Sequence, residues 1–421
     1  MKKLVALLLT VSLLMGMGVL ALAEEKRVLT VASWDTATGA YMAATEAAYE
    51  ASHPGVDLQY IDVASQEYNM KATAMLAGGD TTDVFDVKEL SDLQNWIAQG
   101  FVENLEPYVA EAGYDLSPYL GFENYYRGGA DNALYGLPYR SDYWVLFYNK
   151  TLFDAAGVAY PTNDMTWEQY AELAKQMTSG EGIDTIYGTH YHTWLSAVAN
   201  WPVVDGVYTL ADGDYEPLKY FYELYQGLED AGATQPYTEL SAAGLHYSAA
   251  FYQGNVAMLP MGYWFVATLI SEKDKGTFDF DWSFVAVPHK EEVPAGASFG
   301  SPTATAININ SDDKDLAWEY IAWRCGEEGA LAHAEVGTRP AYVSDAVAAK
   351  LSEAPGFPTD EAAKAALIPT TMGIEWPTGD KVPAIKTIVN EEHTLIMVRD
   401  VSIEDGIASM TERVAEVLAA E

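Results

Sequence analysis

Cysteine is all but missing from this chain: Cys325 is the only one in 421 residues, so no disulfide can close within it. Positive charge is also in short supply. Lys and Arg number 23 against 61 Asp and Glu, a net charge of −38. Such a surface repels nucleic acid and anionic lipid, and it disfavours anionic ligands outside a local basic pocket. Phosphate-binding glycine fingerprints are missing too. There is no Walker or dinucleotide motif, and Ala77-Gly78-Gly79-Asp80 reads as a helix stop. Beyond the first two dozen residues no apolar run approaches a membrane-spanning length. Internal repeats, low-complexity tracts and Gly/Ser linkers are absent as well. Hydrophobic residues nevertheless make up 49% of the chain. The acid excess therefore belongs to a folded globule and not to a disordered tail.

What is present begins with Lys2 and Lys3, an apolar run from Leu4, and Ala21-Leu22-Ala23 ahead of Glu24. This order predicts a secretory signal over 1–23, cut after Ala23. An uncleaved membrane anchor is the alternative, since the run is almost long enough to span. No cysteine stands at the cleavage site, as a lipoprotein would need. The mature protein is therefore expected to be periplasmic or secreted. About 400 residues remain, enough for two domains with a large core. Without a flexible linker, the chain is expected to cross between lobes more than once through strand-like segments.

Periodicity supplies the elements. Residues 28–34 read as a strand, 40–52 as a helix stopped by His53-Pro54-Gly55, and 56–63 as a second strand. A helix around 66–76 and a third strand over 83–87 follow, an alternation that implies a parallel sheet with right-handed crossovers. A proline-bounded strand is predicted over 137–150. Over 166–177 an amphipathic helix is predicted, with Thr166 as cap and Gln169 completing a capping box. The stretch 296–310 ends as a strand and 312–336 reads as one long helical run. Helical signals resume at 360–367, 382–399 and 405–420.

Several motifs invite chemistry that their surroundings refuse. Gly296-Ala297-Ser298-Phe299-Gly300 matches the nucleophile elbow of hydrolases, but Pro302 and a strand follow where a helix is required. His190 and His192 are spaced as strand ligands of a metal, without a third ligand close by. Asp212-Gly213-Asp214 and the acids of 311–315 lack the spaced ligands and closing Glu of a calcium loop. No cofactor is expected.

The stronger signal lies in the 28 Tyr and 11 Trp. Rings stand beside polar groups at element ends: Trp34-Asp35, Tyr139-Arg140-Ser141-Asp142-Tyr143, Tyr191-His192-Thr193-Trp194, Tyr263-Trp264, and Trp376 in a loop. In open α/β sheets ligands bind outside the carboxyl ends of strands. Aromatic faces suit the C–H faces of a sugar, and carboxylates, Arg and amides suit its hydroxyls. Any one ring is more often core than platform, so the weight falls on the repeated pairing.

The order of features resembles the family 1 extracellular solute-binding proteins of ABC importers, the maltose-binding type. "GDTTDVF" (79–85), "ALYGLPYRSDYWVLFYNKTLFDAAG" (133–157), "YHTWLSAVAN" (191–200) and "FYQGNVAMLPMGYWFVATL" (251–269) carry the resemblance, with Thr82 where the family usually has proline. It implies a two-lobed α/β fold of the type II periplasmic-binding kind, each lobe a mostly parallel sheet flanked by helices. Lobe 1 would hold 24–140 and 305–341, and lobe 2 would hold 141–304 and 342–421. Crossovers near 139–143, 302–306 and 340–345 would form the hinge. Trp264 matches the family's stacking tryptophan, Asp142 a hinge carboxylate and Tyr191 a ring of the second lobe. Trp34, Asp35, Lys88 and Glu89 match first-lobe loops. Tyr139, Arg140, His192, Trp194, Tyr263 and Trp376 join them on chemistry alone.

The expected function is capture of a mono- or oligosaccharide without catalysis, by a monomer that delivers it to the membrane permease subunits of an ABC importer. Alternatives are a cationic or polyol solute, a secreted glycan-active enzyme, and a purely structural surface protein. The enzyme would need two carboxylates flanking a scissile bond, and Asp142 has no visible partner in sequence.

Overall fold

Strand β1 (Arg27–Trp34) lies between β2 (Val56–Val63) and β3 (Val84–Val87), parallel to both. The helices Ala40–Ser52 and Tyr68–Ala77 make the two crossovers, as the alternating periodicity requires. The computed structural model describes residues 26–420 except 38, 120, 121, 368 and 380. The predicted signal segment lies outside the described residues. Among those described, no helix is long and apolar enough to cross a membrane.

A short hairpin, β4 (Arg127–Gly128) and β5 (Ala133–Leu134), precedes the long strand β6 (Leu137–Asn149). Every residue of β6 is buried. Pro138 sits where its pairing slips, the bulge position a strand proline tolerates. The strands β7 (Met258–Gly262) and β8 (Trp282–Ala286) both pair with β6 antiparallel. The strand β9 (Ala297–Ile307) runs antiparallel to both β3 and β6, and β10 (Thr371–Ile374) lies parallel to β9. The path β2-β1-β3-β9-β6-β7 is thus one mixed sheet. A mostly parallel sheet was expected in each lobe. Parallel pairing instead concentrates in β1–β3 and β9/β10, because β6 meets its partners through long antiparallel returns.

Two large apolar cores flank this path. One gathers Leu29, Phe85, Trp96, Tyr139, Ala304, Tyr320 and their neighbours. The other gathers Tyr143, Phe147, Trp201, Phe265, Phe299, Val389 and theirs. Both β6 and β9 pass from one core to the other, and the chain passes a third time beside them. Ser141 N donates to Arg339 O (3.3 Å) and Ala341 N to Tyr139 O (3.1 Å). The helix Asp345–Ser352 packs on Glu327–Glu335 through Val347, Leu351, Ala330 and Ala334.

The capping box on Trp167–Met177 is present on both sides: Gln169 N donates to Thr166 Oγ1 and Thr166 N to Gln169 Oε1. The run read as one helix over 312–336 is two, Lys314–Cys325 and Glu327–Glu335, broken where Gly326 turns extended. Ser298 lies inside β9, its hydroxyl bonded to the backbone N and O of Trp144, which removes it as a nucleophile.

Candidate functional site

The end of β1 delivers Trp34, half-buried, and the exposed Asp35, whose φ of 49° starts the turn toward the next helix. Asp tolerates this left-handed conformation better than most residues. Its Oδ1 accepts from Ser65 N (3.0 Å), and Lys88 Nζ donates to Ser65 O and Oγ at 2.6 and 2.7 Å. The Lys88 ammonium lies 5.5 Å from the Trp34 ring, and burial lowers its pKa.

Beside Trp34, the Arg140 guanidinium is caged by three rings: Trp34 at 5.9 Å, Tyr41 at 5.1 Å and Tyr139 at 5.9 Å. Its Nε lies 2.6 Å from Asp142 Oδ2. Burial works against the Arg140 charge, but Asp142 outweighs it and the pKa rises. Burial raises Asp142 against the pull of Arg140 and Arg339. Asp142 Oδ1 is buried with no hydrogen-bond partner among the described residues. The atom is thus a buried acceptor with capacity left for a donor.

The second wall is aromatic. His192 lies 4.4 Å from Trp194, 5.5 Å from His246 and 5.5 Å from Tyr247, all ring to ring. Trp194, 41% exposed, lies 5.8 Å from Tyr247 and 6.5 Å from Trp264. Trp264 Nε1 donates to Tyr247 Oη (3.1 Å). Burial, with His246 and His190 adding, pushes His192 down to about 3, and His246 is lowered by burial too. The wall is therefore neutral at physiological pH. Asp35 acts electrostatically on both His246 and Tyr247, and Asp142 and Arg140 act on Tyr247. The ring wall packed against the second core thus lies within electrostatic reach of the polar groups of the first.

Gly262 explains how Trp264 takes its place in that wall. A Cβ there would lie 2.0 Å from indole Cζ3 and 2.1 Å from Cη2, because the ring folds back over the glycine. Phe265 and Leu269 turn into the core, as their spacing predicts. Gly262→Ala is therefore expected to expel the indole while the helix Phe265–Asp274 persists. Near-UV circular dichroism would report the displaced ring, and an unaltered aromatic spectrum would remove this role from Gly262.

A third group joins elements of the two cores. Glu89 Oε2 accepts from Lys386 Nζ (2.5 Å), and that ammonium lies 5.7 Å from the half-buried Trp376 ring. Asp92 and Glu375 stand nearby. A half-open pocket of about 250 Å³ lies elsewhere, lined by Asn163, Asp164, Ala286 and Thr370 and not by any of these groups.

Three of the expected contacts are packed inside the cores. Tyr139 is buried beneath Arg324, whose Cζ lies 3.7 Å from its ring. Tyr191 packs at 5.1 Å from Tyr225 and 6.5 Å from Tyr170 in the second core. Tyr263 is fully buried and stacks on Tyr143 at 5.3 Å. Each is the immediate neighbour of a residue in the two clusters: Arg140, His192, Trp264. Adjacent side chains in a strand such as β6 point to opposite sides, and at Tyr263-Trp264 the chain turns from β7 into the next helix, with Trp264 already helical. Tyr41, His246, Tyr247, Glu375 and Lys386 were not foreseen. His246-Tyr247, a ring beside a polar group at a helix start, carried the same signal as the others. Among the described residues, no group of three or more potential ligands could hold a metal.

A sequence model of the bacterial extracellular solute-binding proteins matches residues 34–330. The crystal structure of a sugar transporter from Rhizobium etli, in an open conformation, matches with a TM-score of 0.78 and 38% identity. It covers 94% of this chain and 100% of that one. The likeness shows the two-lobed α/β fold of type II periplasmic binding proteins. The mannitol-binding protein of Pseudomonas aeruginosa is 24% identical over 357 residues, 77% of each chain. The arabinooligosaccharide-binding protein of Halalkalibacterium halodurans is 24% identical over 280 residues, 61% of this chain and 57% of that one.

Proposed function

Because the chain belongs to the bacterial extracellular solute-binding protein family, we propose that it captures a neutral sugar or polyol in the gap between its lobes. It delivers that solute to the permease subunits of an ABC importer and makes or breaks no bond. The observation that carries this reading is the facing of two unlike walls. His192, Trp194, Tyr247 and Trp264 offer uncharged faces, and Asp35 and the Arg140–Asp142 pair offer fixed hydrogen-bonding groups opposite. A sugar presents the complement, C–H faces and hydroxyl edges. Relatives that bind mannitol and an arabinooligosaccharide support the class of solute without fixing its member.

The lobes are 24–140 with 305–341, and 141–304 with 342–421. The two apolar cores support this division, except that Asp345–Ser352 packs with the first lobe. The strands β6 and β9 and the segment near 340 act as the hinge. A solute touching both walls favours the closed form by its differential affinity for it. The protein acts as a monomer outside the cytoplasm, after loss of the segment 1–23.

A thermal-shift screen across mono- and oligosaccharides, polyols and polyamines tests the reading. Saturation at a hundred times Kd should stabilise the protein by about 2.7 kcal/mol. A shift from polyamines alone would replace the neutral solute with a cationic one. New reducing ends on incubation with oligosaccharides would make it an enzyme.

A further inference from the structure

At one end of the gap the lobes meet through charge. Glu89 follows β3 in the first lobe, and Lys386 lies on the helix Val382–Met397 in the second. Their 2.5 Å contact is half-sheltered, with side-chain exposures of 33% and 29%. The charged groups around the pair are few. Lys88 precedes Glu89, Asp92 stands in the first turn of Leu90–Gln99, and Glu375 follows β10. Burial, with Glu89 adding, pushes Asp92 up to about 7. Burial does the same to Glu375, against the pull of Lys386. Burial also works to raise Glu89, but Lys386 outweighs it and the pKa falls. Of the three carboxylates, Glu89 is the one fully ionised at neutral pH, and it is the one in contact with Lys386.

We propose that the Glu89–Lys386 pair is an interlobe latch, which favours the closed arrangement before any solute arrives and so sets affinity without touching the solute. The pair spends the Glu89 carboxylate, which the sequence placed among the ligand contacts. The inference rests on the two-lobed closure in the proposed function but not on the identity of the solute.

The test therefore needs no solute. Spin labels at Met70→Cys and Ile183→Cys, exposed positions on opposite lobes, report the interlobe distance of the solute-free protein. Cys325 is buried and stays unlabelled. Glu89→Gln and Lys386→Gln should each lower the closed-to-open ratio by about two- to fivefold, the scale of a half-exposed ion pair. The exchange Glu89→Lys with Lys386→Glu should restore it. An unchanged distribution in both single variants, or no recovery in the exchange, overturns the latch. Failure of the sugar screen on the unaltered protein would bear only on the solute.

Discussion

Replacing Arg324 with methionine is expected to destabilise the first lobe by about 3–5 kcal/mol, the cost of breaking a buried ion pair from one side. Arg324 lies on the helix Lys314–Cys325 and Asp86 in β3, and both side chains are fully buried. Nη1 reaches Asp86 Oδ1 at 2.6 Å and Nη2 reaches Oδ2 at 3.1 Å, a two-pronged contact. Oδ2 also accepts from Ser33 Oγ at 2.6 Å. Methionine fills most of the vacated volume, so the loss comes from stranding the carboxylate and not from a cavity. The double variant Arg324→Met with Asp86→Leu should recover part of the loss, since an apolar pair needs no counter-charge. Recovery stays partial because Ser33 and Tyr139 lose an acceptor. Urea unfolding followed by tryptophan fluorescence checks this, and the early transition should belong to one lobe only. A loss below about 1 kcal/mol would show that water or a rearranged neighbour satisfies Asp86.

The same buried pair shows where sequence reading stops. Arg324 fell inside a helical run and Asp86 inside a strand, and periodicity assigned both correctly to elements. Nothing in spacing says that positions 238 residues apart meet. Lys386 was invisible for the same reason: on an amphipathic helix it reads as a solvated charge. Local signals fared better. The cap at Thr166 and the β1–β3 alternation were legible because their causes lie within a few residues. Pairing of rings with polar groups pointed to Trp34-Asp35, Arg140 and Asp142, His192 and Trp194, and Trp264, which the fold brings into two neighbouring clusters. It erred by one position at Tyr139, Tyr191 and Tyr263. In β6, which of two adjacent side chains faces the core depends on strand register, and register is set by partners far along the chain; at Tyr191-His192 and Tyr263-Trp264 it depends on how the chain outside a strand enters the next helix. The antiparallel pairing of β6 was likewise hidden, because a wholly buried strand has no polar face to read.

Removal of the Trp264 indole should have the larger effect on binding. Trp264→Ala is expected to weaken the affinity for the sugar giving the greatest thermal shift by about 1–3 kcal/mol, roughly 5- to 150-fold in Kd. The ring does more than offer a face. Its Nε1 donates to Tyr247 Oη, and Trp144 packs against it edge-on at 5.7 Å. Truncation therefore loses the contact with the solute and loosens Tyr247 beside it. Trp264→Phe separates the two effects, because it keeps an aromatic face and deletes the donor. If stacking dominates, phenylalanine restores most of the affinity; if the hold on Tyr247 dominates, it restores little. Gly262→Ala should fall toward Trp264→Ala, since it displaces the same ring without deleting it. Calorimetric titration of the three variants, each with its Tm measured without solute, distinguishes lost contact from lost fold. An unchanged Kd in Trp264→Ala would take the aromatic wall out of the binding site, and with it the reason for reading the solute as a sugar.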